Sequence, residues 1–116
     1  MLKLSTMLPI GLLVFSSASF AQFVDPGSEP IELNVAEVSE LVGDDTIMLK
    51  GNIIQQTSDD DYIFQDSSGA MAIEIAREKF ADITVTPEDE VLIIAEADVD
   101  VFEVTVEAEE LQLVSK

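Results

Sequence analysis

Two short runs of carboxylates stand out: Asp59-Asp60-Asp61 and Asp98-Val99-Asp100. Their hard oxygen donors suit Ca²⁺ or Mn²⁺, or the ammonium and guanidinium groups of a basic ligand. Neither run has the spaced D-x-D-x-D-G pattern with a distal Glu that makes a calcium loop. Asp is also common in solvated turns, where its side chain bonds its own backbone, and that reading competes with ligand binding at both runs. The chain holds no His and no Cys. Ser-His-Asp and Cys-His nucleophile chemistry is therefore absent, as is a thiolate zinc site. A carboxylate pair working as a glycosidase remains, but a domain this small leaves little room for an enclosed sugar cleft. The reading from these residues is a protein that is not an enzyme and has no cofactor.

The charge balance narrows the partners. Five Lys and Arg face 24 Asp and Glu, a formal charge of −19. Nucleic-acid binding requires basic groups to displace counterions from phosphates, so neither DNA nor RNA fits. Anionic lipid headgroups are repelled as well. Metal ions, polyamines, basic peptides and basic protein surfaces are attracted. The alternative is that the charge only keeps the protein soluble.

The N-terminus predicts export. Lys3, an apolar run from Met7 to Phe15, and Ser19-Phe20-Ala21 make a signal-peptide pattern with cleavage after Ala21. The run is too short to span a bilayer. A buried N-terminal helix is the competing reading. Residues 1–21 are thus expected as a leader, with localisation in the periplasm and no membrane insertion after cleavage. Residues 22–33, with Pro26, Gly27 and Pro30, read as an extended arm. Residues 34–116 read as one domain.

Within that domain, apolar periodicity sets the elements. Asn34 and Glu37 form a capping-box pair ahead of Val35, Val38, Leu41 and Val42, with Gly43 as the stop of a short helix. A long strand runs from Thr46 to Gln56, with Gly51 marking a bulge, bend or close approach. Asp61–Ile75 alternates at period two on both sides of Ser67-Ser68-Gly69, a hairpin. Tyr62 and Phe64 are expected to face the core. Ala76–Asp82 reads as a helical turn or two. Glu90–Ala97 is a strand, Asp98-Val99-Asp100 a reversal, and Phe102, Val104 and Val106 alternate in a last strand with a bulge at Glu109-Glu110. The order predicts an all-β fold with short helices. It is a five-stranded OB-fold Greek-key barrel with an N-terminal helix and a short helix between strands three and four. A small β-sandwich is the alternative.

The ordered set of Leu49-Lys50-Gly51-Asn52-Ile53, Asp61-Tyr62-Ile63-Phe64-Gln65-Asp66, Gly69, Ile73-Glu74-Ile75, Val85-Thr86-Pro87-Glu88-Asp89 and Ala97-Asp98-Val99-Asp100 resembles the bacterial OB-fold (BOF) family of YgiW/YdeI-like proteins. The likeness spans roughly Val35 to Leu113. It implies a small periplasmic protein that helps the cell tolerate oxidants, metals or cationic antimicrobial peptides, with no catalytic residues.

OB-folds bind through one sheet face and the first and last hairpin loops. Those loops are expected to converge at one end, which makes Asp59, Asp60, Asp61, Glu74, Asp98 and Asp100 the candidate ligand-binding residues. A cationic small molecule, a basic peptide or a basic envelope-protein surface fits such an end. A cell-wall saccharide is the competitor, and a role as an envelope-protein interaction factor is the alternative to a binding module.

Overall fold

A strand buried on one face writes its position into alternate residues, and the period-two runs become strands as the pattern requires. The computed structural model describes residues 29–115; the expected leader and most of the expected arm lie outside them. The strands are β1 (Ile31–Glu32), β2 (Asp45–Gln56), β3 (Asp61–Asp66), β4 (Gly69–Glu74), β5 (Glu90–Val99) and β6 (Val104–Ser115). One helical turn, α1 (Val35–Val38), precedes β2, and one 3₁₀ turn, Arg77–Phe80, follows β4.

Strands β2, β3 and β4 form an antiparallel meander. β5 pairs antiparallel with both β2 and β6. β6 meets β4 in parallel at one register pair, Glu74 with Glu107. The pairings thus return to β2, which is the connectivity of an OB-fold. The end of the expected arm is ordered as β1, which lies parallel to β2 with Ile31 beside Ile47. Strand two-to-three pairing slips between Ile53 and Gln55, and Glu109 is the extra residue between Ala108 and Glu110 where β6 bulges against β5.

The core is filled from every strand except β1. Phe64, Ile47, Leu49, Ile73, Ile75, Val91 and Ile93 are fully buried. Each such side chain contributes roughly 1.5–3 kcal/mol by leaving water. Phe64 is in the core as its alternation predicts, and Tyr62 is half-buried, packed on Phe80 with ring centroids 5.5 Å apart. Gly51 is required by close approach. A Cβ there would fall on the Gln65 carbonyl oxygen and within 2.9 Å of the Phe64 ring.

Three expectations need correction. The helix stops at Val38 instead of running to Val42, which is almost fully exposed. Val35 and Val38 are buried and Leu41 packs partly against the core without helical backbone, while Val42 stays in water. Asp98 is not in a reversal; it is a β5 residue paired with Thr105. Phe102 is not in the last strand. The Asp100 carboxylate accepts the N–H groups of Phe102 and Glu103 at 2.8 and 2.9 Å. That Asx-type turn takes both residues out of the ladder and leaves Phe102 93% exposed.

Candidate functional site

Alternation decides which carboxylates share a surface. Ile73, Ile75, Val106, Ala95 and Ala97 point inward, so their neighbours Glu74, Glu107 and Glu96 point out. Asp61 does the same on β3, one residue before Tyr62. Register then lines them up. Asp61 pairs with Glu74, Glu74 with Glu107, and Glu107 with Glu96. Four neighbouring strands thereby place one carboxylate each in a continuous cross-strand row. Strands lie about 4.8 Å apart, so adjacent members feel one another strongly. Like charges directly opposite each other destabilise a sheet.

The row ends in a denser patch. Partial burial raises the Glu96 carboxyl above its ordinary pKa. A side-chain hydrogen bond with Glu109 and the negative charges of Glu109, Asp98 and Asp44 push it further the same way. Glu109 is the extra residue of the β6 bulge, opposite the Ile94–Ala95 step of β5. Among the described residues no group of three or more His, Cys, Asp or Glu is gathered to hold a metal ion. The row is a linear charged surface, suited to an extended or diffuse cation.

The six sequence-derived residues come from two parts of the chain. Asp59 and Asp60 lie in the β2–β3 loop and Asp61 opens β3. The Ile75 N–H donates to the Asp60 carbonyl at 2.8 Å, and Ser58 Oγ donates to Asp61 Oδ2 at 2.7 Å. Glu74 stands beside them. Asp98 adjoins the Glu96 end of the row, and Asp100 lies in the β5–β6 loop. The Val99 N–H donates to Asp44 Oδ1 at 2.7 Å, which fixes the β5–β6 hairpin at the start of β2. Asp59 follows the other end of that strand. The two loops flank opposite ends of β2, yet the row joins them across β3, β4, β6 and β5: Asp98 adjoins Glu96 and its charge raises that carboxyl, whereas Asp100 lines the neighbouring groove. Glu107, Glu96 and Glu109 are the members the sequence reading missed. Only the β4–β6 and β5–β6 register reveals them.

The hairpin end of the barrel is built differently. Burial works against the charged form of Asp66, but hydrogen bonds from Ser68, Val35 and the Ser68 and Gly69 backbone outweigh it and hold the carboxyl below the usual range. Asp66 Oδ2 accepts the Val35 N–H at 3.0 Å, and Ser68 Oγ accepts the Ala36 N–H at 3.0 Å. These bonds tie the start of α1 to the β3–β4 turn. Between α1, β4 and the β5–β6 loop lies a groove of about 670 Å³. Asp100 and Glu103 are its charged members. The N–H groups of Phe102 and Glu103 hold the Asp100 carboxyl below its ordinary value.

Comparison with known proteins places this geometry. The family model described as bacterial OB fold (BOF) protein matches residues 19–113. Protein YgiW of Escherichia coli K12 is 34% identical over 84 residues, covering 72% of this chain; the match spans 65% of YgiW. The calcium-regulated OB-fold protein CarO of Pseudomonas aeruginosa is 32% identical over 92 residues, 78% of each chain. The solved structure of Escherichia coli YgiW superposes with a TM-score of 0.68 at 32% identity, over 81% of this chain and 99% of that one. An OB domain from Methanosarcina mazei, 12% identical with a TM-score of 0.55, covers 76% of this chain and 87% of its own and shares the fold alone. With its fold, its match over most of its length and these relatives, the chain belongs to the bacterial OB-fold (BOF) family.

Proposed function

We propose that this chain is a non-enzymatic periplasmic binding protein that contributes to envelope stress tolerance by holding cationic ligands on an acidic face. The observation that carries the reading is the in-register row Asp61, Glu74, Glu107 and Glu96. Opposed carboxylates cost the fold stability, and a cation laid along them would recover that cost. The same sheet surface offers no basic group in the row and no exposed aromatic platform, which disfavours nucleic acid. The family match is consistent with a binding role: the chain is a bacterial OB-fold protein, and the names of YgiW and CarO are not enzymatic. The leader pattern of residues 1–21 supports action in the periplasm.

Titration of the purified protein with a lysine octamer and with a chitin oligosaccharide, each at low and physiological salt, tests the ligand class. The expected result is octamer binding that weakens as salt rises, because screening shortens the reach of exposed charges. Salt-insensitive binding of the saccharide without binding of the octamer would overturn it.

A further inference from the structure

The acidic face is one surface; the groove at the other end of β4 is a second. β4 is paired along its whole length with β3, from Gly69 opposite Asp66 to Glu74 opposite Asp61. On its other side it meets β6 only at Glu74. From Gly69 to Ile73, the backbone groups directed away from β3 thus have no ladder partner across the seam. The chain ahead of Glu107 does not close the gap: Val104, Thr105 and Val106 pair with β5 and not with β4, and the Asp100 turn holds Phe102 and Glu103 out of the strand. An unpaired strand edge is a template for another extended chain.

The groove opens along that edge. Val38 and Leu41 of the α1 region, Met71 and Val104 give it apolar walls. Phe102 and Val101, 93% and 89% exposed, stand at its rim. Large apolar side chains held in water at the mouth of an apolar groove mark a docking surface. The volume of about 670 Å³ falls in the range of pockets that enclose a ligand. The charged side chains lining it, Asp100 and Glu103, are both acidic, and the whole chain carries −19.

We infer that this groove binds a basic peptide in extended conformation, which adds as a strand to the free edge of β4. Main-chain hydrogen bonds to the edge supply affinity, and alternate side chains supply selectivity. Apolar residues of the peptide face Met71, Val104 and Phe102. Its lysines or arginines face Asp100, Glu103 and the solvent. Charge complementarity selects this occupant over a second copy of the chain, which would bring another −19 to the same edge. The inference rests on the cationic-ligand reading for the sign of the ligand, and it names a different site.

The test uses a labelled nonapeptide alternating lysine with valine and one phenylalanine, and two derivatives N-methylated on either set of alternate residues. Fluorescence anisotropy measures affinity, and hydrogen exchange measures protection at 69–73. Binding should fall about tenfold for one methylated derivative and for F102S, whose exposed side chain leaves the fold intact, while bound peptide protects 69–73. Equal binding of the parent and both derivatives, with no protection, would overturn the groove. If a lysine octamer still bound the acidic row in that case, the broader cationic reading would stand. Concentration-dependent dimerisation abolished by F102S, without peptide binding, would also overturn the inference and assign the groove to a second copy.

Discussion

Glu74 stands directly opposite Glu107 at the one register pair that joins β4 to β6. The weakest join of the barrel is therefore made between two like charges. Removing one of them should strengthen it. The expected gain for Glu107→Gln is roughly 0.2–1 kcal/mol, the scale of a cross-strand pair. Thermal unfolding should show a Tm higher by up to several degrees, and added salt should narrow the difference. A lower Tm for the variant would mean that the pair is held by something other than the strand register.

The sequence revealed the elements more readily than their neighbours. The alternation in Asp61–Asp66 and Gly69–Glu74 names the hairpin and its inward residues, because both strands bury one face. The capping pair Asn34 and Glu37 is present as expected, with Glu37 N–H donating to Asn34 Oδ1 at 2.8 Å. What the alternation does not carry is register between distant strands. Glu74 and Glu107 are far apart in the chain, and nothing local to either announces the other. Phe102 misled for a local reason. It continues the period of Val104 and Val106, but a single carboxylate, Asp100, captures its N–H and ends the strand first. The candidate site was thus partly legible: Asp61 and Glu74 belong to the row and Asp98 adjoins its Glu96 end, whereas Asp100 lines the groove.

Gly51 should tolerate no side chain. Its Cβ would meet the Gln65 carbonyl and the Phe64 ring, both fixed by the core. Gly51→Ala is expected to lower stability by about 1–3 kcal/mol, the cost of overpacking. Gly43→Ala is the control, since nothing lies within 4 Å of its added Cβ. Urea denaturation should separate the two. Equal midpoints would contradict the close approach of β2 and β3.

Asp66 and Glu96 should move stability with pH in opposite directions. The Asp66 pKa is lowered on folding, so its contribution is present above the unfolded-state value and is lost as pH falls through the folded-state value. Asp66→Ala should therefore destabilise at neutral pH and do so less in acid. The Glu96 pKa is raised on folding, so its charged form costs stability above the folded-state value, and the cost disappears below the unfolded-state value. Glu96→Gln should stabilise at neutral pH and lose its advantage in acid. Melting curves across the acidic range check both, and parallel profiles for the two variants would contradict the assignments.

The central claim is that a row of carboxylates, and not the bulk charge of the chain, holds the cation. Neighbours about 4.8 Å apart lie within the Debye length of about 8 Å at physiological salt, so they act together. The direct measurement is calorimetric titration of a lysine octamer into two variants at matched ionic strength. One carries Asp61, Glu74, Glu96 and Glu107 as their amides. The other carries the exposed acids Glu32, Glu40, Asp82 and Glu88 as theirs, an identical change in net charge. The row variant should lose about tenfold in affinity or more, and the control should stay near the parent protein. Equal losses in both would show that only the overall field attracts the ligand, and the row would have no special part in binding.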